Sequence, residues 1–300
     1  MSSWKKWTLR ILGGLVLLIA VAAGCIYVLS ERTIEQRYAF REVPVTAVTD
    51  SASLARGEHL VEVSCRSCHA QALHGQVLFD EPGIARLVAP NVFEKIATLS
   101  DAEFAGFMRY GVHKDGTSSF VMPPRGFYHM SDADLAAIIG YLRTQQPPPT
   151  VSLPSNSYRL MGRLGVVMGQ FKNAVSEIDT TADRVGADSS YRSTRRGEYI
   201  ARVICSECHG AKLMGDPAQP SPALIMAAGY NLEQFTKLLR TGTPRDTATK
   251  LTLMAEVANL TLKRLHDDEI ADLHAYLSAL PVTGVAISKK ATTASAAAAR

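Results

Sequence analysis

The sequence predicts an all-α protein in which one membrane-spanning helix is followed by two small helical domains. Three observations support this fold class. An uncharged apolar run of 19 residues lies near the N-terminus, and a longer segment recurs at a spacing of 140 residues. Each copy is followed by helix caps and by apolar residues at helical spacing. The chain of 300 residues, 47% of them hydrophobic, has room for two domains and an extra segment.

The apolar run extends from Ile11 to Leu29 and is long enough to cross the hydrocarbon core of a bilayer as a helix. Three basic residues precede it: Lys5, Lys6 and Arg10. By the positive-inside rule, the N-terminus lies in the cytoplasm and everything after Leu29 lies outside. The small residues at 22–24 also suit a cleaved signal peptide, but the run is longer than a signal-peptide core. We favour an uncleaved anchor over residues 1–30, with the remaining chain in the periplasm.

The repeat predicts the organisation of the remaining chain. RGEHLVEVSCRSCHA begins at Arg56, and RGEYIARVICSECHG begins at Arg196. Each copy continues with a proline, a helix, a methionine and a last helix, and the spacing from proline to methionine is 32 residues in both. The spacing from histidine to proline is 21 residues in the first copy and 13 in the second. This difference indicates an insertion in a surface loop of the first domain.

Local signals place helices in both copies. Ser100 and Glu103 form a capping box before an amphipathic helix, and Gly111 is placed to end it. The last helix of each copy carries its apolar residues on one face. These residues are Leu135, Ile138, Ile139 and Leu142 in the first copy, and Ile270, Leu273, Leu277 and Leu280 in the second.

These signals divide the chain into two domains and a linker. Domain 1 is predicted over residues 50–148 and domain 2 over residues 191–281. Residues 149–190 form a linker, in which an extended proline-rich strap precedes a short helix over 158–171. That helix has an apolar face and is expected to lie against one domain or between the two. Residues 282–300 offer nothing to pack and are predicted to form a disordered tail.

Both copies contain the sequence Cys-x-x-Cys-His. The residues are Cys65, Cys68 and His69 in domain 1, and Cys205, Cys208 and His209 in domain 2. Cysteines at i and i+3 lie on one turn of helix, so both thiols can bond to the two vinyl groups along one edge of a haem. The histidine that follows then points its imidazole at the iron.

Other uses of this motif fit the sequence less well. A zinc ribbon needs cysteine pairs about 15 to 20 residues apart, whereas Cys68 and Cys205 are 137 residues apart. A thioredoxin-like pair needs surrounding strands that this sequence does not predict, and structural disulfides would not explain a repeated histidine. We therefore predict two covalently bound haem c groups.

The sixth ligand of each iron separates an electron carrier from an enzyme, because methionine opposite histidine leaves no open coordination site. In domain 1 we choose Met122, which two following prolines stiffen. Met130 and Met108 are more simply packing residues. In domain 2 we choose Met254 on the equal 32-residue spacing. Its rivals are Met214, Met226 and His266.

Residues outside the motif are candidates for supporting the haem. Pro90 and Pro222 are placed to present a carbonyl oxygen to the Nδ1 proton of His69 and His209, which would orient each ring and increase its electron donation. Arg125 is a candidate partner for a haem propionate, with a solvated surface arginine as the alternative. Domain 1 has a formal charge of −3 and domain 2 of +1, so neither is basic enough to indicate nucleic-acid binding.

From about Arg56 to Pro147, and again from Arg196 to Pro281, the chain resembles the tandem class I cytochrome c domains of bacterial membrane-anchored dihaem cytochromes. The matching features are RGEHLV and RGEYIA, both Cys-x-x-Cys-His motifs, Ala89-Pro90-Asn91, LSDAEFAGFMRYGV, Met122-Pro123-Pro124 and SDADLAAIIGYLR. The resemblance implies a helical fold, a haem c in each domain, His/Met ligation and electron transfer. The loop around Met254 departs from the family pattern.

The predicted function is therefore electron transfer on the periplasmic face of the cytoplasmic membrane, with no substrate turnover by the chain itself. The expected partners are redox proteins: a dehydrogenase, a quinol–cytochrome c reductase or a terminal oxidase. One alternative is a dihaem peroxidase, which needs a displaceable sixth ligand beside acid–base groups such as His113 or His129. The other is the cytochrome subunit of a periplasmic dehydrogenase complex.

Overall fold

The computed structural model describes residues 3–181, 184, 194–216, 221–246 and 248–280. These residues form a long N-terminal helix and two helical domains that pack against each other. The predicted tail lies outside the described residues, as does most of the linker after its helices.

The first helix, α1 (Ser3–Ile34), contains the whole apolar run. Its most apolar stretch is exposed along its length, and among the described helices it alone is long and apolar enough to cross a membrane. A helix of this kind near an N-terminus serves either as a membrane anchor or as a signal sequence.

Residues 35–50 connect α1 to domain 1 and pack on it. Val43 and Val45 are buried in the core of domain 1. The backbone of Arg41 passes so close to Gly106 that a Cβ atom there would lie 2.0 Å from the Arg41 carbonyl oxygen. No local pattern in the sequence indicates this packing.

Domain 1 is built from α2 (Ser51–Ser64), α3 (Arg66–His69), α4 (Val92–Ala97), α5 (Asp101–Tyr110), α6 (Pro124–His129) and α7 (Asp132–Thr144). The capping box of Ser100 and Glu103 is present, and Gly111 ends α5 with a φ of 62°. The four apolar residues predicted on one face of α7 are all buried. α2 crosses α7 at Gly57, where a Cβ atom would lie 2.0 Å from the carbonyl oxygen of Ala137.

The predicted loop insertion of domain 1 is a β-hairpin. Strands β1 (Gln76–Glu81) and β2 (Ala85–Ala89) pair antiparallel, and a short strand from the linker, β3 (Ser157–Tyr158), extends the sheet beside β2. These strands were not predicted from the sequence. Their burial does not alternate from residue to residue, so the period of two that identifies a half-buried strand is weak.

The linker helix is α8 (Leu160–Val167), shorter than the predicted 158–171, and it is followed by the single turn α9 (Ala174–Glu177). α8 lies against the hairpin of domain 1 and against α1. The expected packing on one domain is therefore present, and the contact with α1 is additional.

Domain 2 repeats the helix order of domain 1. Its elements are α10 (Thr194–Ile200), a π-helical turn (Ala201–Cys205), α11 (Ser206–His209), a 3-10 helix (Leu224–Gly229), α12 (Leu232–Thr241), α13 (Leu253–Leu260), a second 3-10 helix (Leu262–Arg264) and α14 (Asp267–Ser278). The close crossing recurs at Gly197, where a Cβ atom would lie 2.0 Å from the Asp272 carbonyl oxygen. Gly242 ends α12 with a φ of 69°.

The two domains exchange equivalent side chains across their interface. Val63, in α2 of domain 1, is buried in the core of domain 2. Val203, which occupies the same place in the second copy of the repeat, packs against the core of domain 1. Such reciprocal contacts are what an approximate two-fold axis between the domains produces.

Polar side chains repeat this exchange. His59 Nε2 of domain 1 lies 2.7 Å from Glu269 Oε2 of domain 2, and the hydroxyl of Tyr199, the residue equivalent to His59, donates to Asp134 Oδ2 at 2.6 Å. Arg56 donates to both carboxylates, at 3.1 Å to Asp134 and 3.0 Å to Glu269. Both carboxylates are buried, so these hydrogen bonds and ion pairs offset the cost of removing them from water.

We expect Gly126→Ala to separate the domains locally. Gly126 of α6 faces the π-helical turn of domain 2, and a Cβ atom there would lie 2.1 Å from the carbonyl oxygen of Val203. Overpacking of this kind should lower the free energy of unfolding by about 1 to 3 kcal/mol. The measurement is the midpoint of denaturant unfolding. Gly14→Ala is the control, because Gly14 has open space around it. An unchanged midpoint for Gly126→Ala would contradict the described interface.

Glu269 should make the interface sensitive to acid. Burial opposes its charge, but His59, the backbone N–H of His266 and Arg56 outweigh burial and lower the pKa of Glu269 from 4.5 to about 2. A carboxyl whose pKa is lower in the folded state contributes stability above its unfolded pKa, and this contribution is lost as the pH falls from about 4.5 toward 2. The full contribution is about 3 kcal/mol.

The test compares wild type with Glu269→Gln by denaturant unfolding at pH 6 and at pH 3. We expect the wild type to be more stable at pH 6 and the difference to shrink as the pH falls, because protonation makes the two side chains alike. A difference that stays constant between the two pH values would show that the charge of Glu269 does not stabilise the interface.

Candidate haem sites

The backbone that follows each Cys-x-x-Cys-His motif takes the same unusual course. Three positions have positive φ in both copies: Ala70, Leu73 and Gly75 in domain 1, and Gly210, Leu213 and Gly215 in domain 2. Leu73 and Leu213 have φ values of 59° and 58° and are buried. Residues other than glycine rarely adopt this conformation, so tertiary packing must hold the turn in place.

The turn brings each proline to its histidine. A Cβ atom at Gly75 would lie 2.6 Å from the Ala89 carbonyl oxygen, and one at Gly215 would lie 2.7 Å from that of Ser221. Only glycine permits this approach. These glycines were not predicted as site residues, although Leu-x-Gly stands at the same offset after each motif.

Each motif histidine donates a hydrogen bond to a proline carbonyl. The Nδ1 atom of His69 lies 2.8 Å from the Pro90 carbonyl oxygen, and that of His209 lies 2.7 Å from the Pro222 carbonyl oxygen. Because a carbonyl oxygen only accepts, Nδ1 carries the proton and Nε2 keeps a lone pair for a metal. Burial also lowers the pKa of both histidines, and the proline carbonyls only partly oppose this. The imidazoles are therefore neutral at neutral pH.

Before a haem is attached, the four motif cysteines carry free thiols. Burial raises the pKa of Cys65 and of Cys205 to about 12, and it raises the pKa of Cys68 and Cys208 as well. The thiols are therefore protonated at neutral pH, and none is used in a disulfide. This state leaves each sulfur available for a thioether bond.

In domain 1 the motif opens into a cavity of about 1380 Å³. Cys65, Cys68 and His69 line this cavity together with Met122, so the two predicted iron ligands of domain 1 face a common space. Apolar side chains form much of its wall: Phe104, Met108, Phe127, Ile138 and Leu142. A large, mostly apolar cavity with a histidine lone pair, a thioether and two thiols suits a haem.

Met254 packs against the core of domain 2 from the first turn of α13. Among its rivals, Met226 is exposed. His266 is also exposed, and its ring stacks on His59 with ring centroids 4.0 Å apart. Met214 is half-buried beside the strained turn. The local geometry around His209 matches that of domain 1, while Met254 stands inside a helix rather than in a proline-stiffened loop.

The packing assignments of two other methionines agree with the structure. Met130 and Met108 are both buried in the core of domain 1, although Met108 also lines the cavity. His113 lines this cavity too, whereas His129 is buried in α6 and burial lowers its pKa to about 4.

Arg125 is not a solvated surface arginine. It is largely buried between the domains and donates to the Glu207 carbonyl oxygen at 3.1 Å. It also pairs with Glu177 at 3.1 Å and with Asp216 at 3.3 Å. Burial and the nearby Glu177 raise the pKa of Glu207 to about 7, against the effect of Arg125. This cluster could not be predicted from the sequence, because its members come from three separate segments.

Two family matches cover the two domains. Residues 52–142 match the family described as cytochrome c oxidase, cbb3-type, subunit III, and residues 195–281 match the family described as cytochrome c. The two matches correspond to the two copies of the repeat.

Two curated relatives are subunits of dehydrogenases. The fructose dehydrogenase cytochrome subunit of Gluconobacter japonicus is 22% identical over 273 residues, which cover 79% of this chain and 54% of the relative. The cytochrome c subunit of alcohol dehydrogenase (quinone) from Gluconobacter oxydans (strain 621H) is 28% identical over 182 residues, covering 55% of this chain and 37% of the relative. The chain thus spans about half the length of these relatives, or less. With one cytochrome c domain at each Cys-x-x-Cys-His motif, and one haem c implied for each, the chain is a dihaem c-type cytochrome.

Proposed function

We propose that this chain carries electrons through two haem groups on the periplasmic face of the cytoplasmic membrane. The observation that carries the proposal is the shared cavity of domain 1, in which His69, Met122 and both motif cysteines face one space. In this arrangement Cys65 and Cys68 would hold the haem covalently. His69 and Met122 would ligate its iron, and a bound haem would supply one-electron chemistry.

Domain 2 is proposed to act in the same way. Cys205 and Cys208 would attach the second haem, and His209 and Met254 would ligate its iron. The support is the repeated backbone turn, the matching hydrogen bond to Pro222 and the partly buried position of Met254.

The remaining residues of each site position these ligands. The carbonyls of Pro90 and Pro222 hold the Nδ1 protons, which fixes the orientation of each ring and strengthens Nε2 as a donor. The apolar wall of the domain 1 cavity keeps water from the iron, and a lower local polarity shifts the reduction potential. Histidine and methionine on one iron would leave it no open coordination position, which is why we assign the chain no enzymatic turnover.

The anchor and the domain boundaries also belong to this proposal. We assign α1 as an uncleaved single-pass anchor, because its apolar stretch is exposed and would need lipid around it. Domain 1 covers residues 50–148 and domain 2 covers residues 191–281. Residues 35–49 join domain 1, because Val43 and Val45 are buried in its core.

A specific observation favours a more defined role. Both curated relatives are named as cytochrome subunits of dehydrogenases. We propose that this chain likewise accepts electrons from a periplasmic dehydrogenase that it binds, and passes them to a respiratory acceptor.

Replacing a proposed methionine ligand should alter one haem only. Met122→His and Met254→His each exchange a thioether for an imidazole, which lowers the reduction potential of the affected haem by on the order of 100 mV. The measurement is a redox titration followed by absorption. We expect Met122→His to shift one of the two waves and Met254→His to shift the other. In each of these two variants, the absorption band of methionine-ligated ferric haem should lose the part contributed by the altered haem.

Met226→His is the matched control, because Met226 is exposed and should leave both waves in place. If Met254→His leaves the titration unchanged while Met226→His or Met214→His shifts one wave, Met254 is not the ligand. If neither Met122→His nor Met254→His changes a wave, the proposed His/Met ligation is wrong for both domains.

The proposed dehydrogenase should remain bound during mild extraction. We expect detergent-solubilised membranes to give a native-gel band that stains for haem and contains this chain together with a flavoprotein or quinoprotein, identified by mass spectrometry. Membranes from cells lacking the chain serve as the control and should lose that band. A haem-stained band that contains this chain alone would instead identify a free-standing carrier.

A further inference from the structure

α8 carries an apolar face that is exposed among the described residues. The face is formed by Leu160, Met161, Leu164, Val167 and Met168. At 100° per residue these five side chains fall within an arc of about 120°. Met161 is 57% exposed and Met168 is 64% exposed. A short helix on a folded domain does not ordinarily present so many large apolar side chains to water.

The opposite side of α8 is fixed to domain 1. Val166 is buried, and a Cβ atom at Gly162 would lie 2.1 Å from the Ile84 carbonyl oxygen in the hairpin. The backbone N–H of Met161 donates to the Gly83 carbonyl oxygen at 3.0 Å. α8 therefore cannot rotate its apolar face toward the domain without losing these contacts.

A third side of α8 meets the end of α1. Arg163 Nη1 donates to Glu31 Oε2 at 2.6 Å and to Ser30 Oγ at 3.0 Å. Its guanidinium group lies 3.9 Å from the ring centroid of Tyr27. The three sides are adjacent around the helix. The side with Gly162 and Val166 contacts domain 1, the side with Arg163 contacts α1, and the apolar arc comes next. The arc thus lies away from domain 1 and adjoins the side that faces α1.

The contact with α1 defines the depth of α8 relative to a bilayer. The apolar run of α1 ends at Leu29, and at 1.5 Å per residue its 19 residues span about 28 Å, close to the thickness of the hydrocarbon core. Tyr27, Ser30 and Glu31 therefore lie at the outer boundary of that core, and Arg163 holds α8 at the same level. Lys172, which follows α8 and is exposed, is suited to anionic headgroups.

We propose that α8 is an interfacial helix whose apolar arc is inserted into the outer leaflet beside the end of α1. The proposal rests on the proposed function, because it requires α1 to remain as a membrane anchor. Lipid is the occupant that the structure favours, since the arc continues the lipid-exposed surface of α1 at the depth where acyl chains meet headgroups.

Insertion of α8 would orient domain 1 on the membrane. α8 is bonded to the hairpin, and Leu78 and Val88 of the hairpin line the domain 1 cavity, as does Arg163 itself. A single helix such as α1 allows a domain to tilt and turn, whereas a second contact beside it fixes the direction that the cavity faces. The bilayer thus sets the orientation of the first haem site relative to the membrane.

The test is hydrophobic photolabelling of the full-length haem-loaded chain in vesicles of phosphatidylethanolamine and phosphatidylglycerol. A lipid-soluble diazirine is activated by light, and labelled peptides are mapped by mass spectrometry. We expect label in α1 and in residues 160–168, and background label at Met226 and Leu253, which are exposed apolar residues of domain 2. Met161→Glu combined with Met168→Glu should reduce the α8 label to background, whereas Met226→Glu should change nothing.

The two proposals fail in different ways in this experiment. If α1 is absent from the purified chain or unlabelled, the anchor is wrong and the placement of α8 fails with it. If α1 is labelled while residues 160–168 remain at the background of domain 2, the anchor stands and the interfacial helix is wrong. Label in α8 that persists in the double glutamate variant, with an unchanged haem spectrum, would likewise overturn insertion.

Discussion

The exchange of Val63 and Val203 between the two cores is the contact on which the arrangement of the haem sites depends. Each valine lies two residues before the first cysteine of its motif. Separating the domains would therefore expose apolar surface directly beside both attachment segments. It would also break the contacts of Tyr199 with Asp134 and of Arg56 and His59 with Glu269. Apolar and ionic contacts thus act together to keep the two motifs at a fixed separation.

The two sites share their local chemistry but differ in their surroundings. Both have the same turn and the same histidine-to-proline hydrogen bond. Domain 1 additionally carries the hairpin, the linker strand β3 and residues 35–50, which pack around its cavity or its core. Reduction potential responds to burial and to hydrogen bonds beyond the ligands. A difference between the two haems would therefore come from these added segments and from the placement of Met254 in a helix.

Much of the fold could be predicted because its signals are local in the sequence. The capping box at Ser100, the glycine that ends α5 and the apolar face of α7 each depend on residues within one or two turns. The hairpin could not be predicted, because its strands lack alternating burial and are stabilised by β3 from the distant linker. The roles of Arg125 and Val63 were also beyond sequence reasoning, since each depends on contacts with the other domain.

The interface also connects the proposed ligand loop of one site to the attachment segment of the other. α6 begins two residues after Met122, and its Arg125 donates to the carbonyl of Glu207, which stands between Cys205 and Cys208. The next residue, Gly126, lies against the carbonyl of Val203. Because these contacts are to backbone atoms, they constrain the path of the chain rather than one side-chain rotamer. A displacement of the methionine loop in domain 1 would therefore press directly on the segment that carries the second haem.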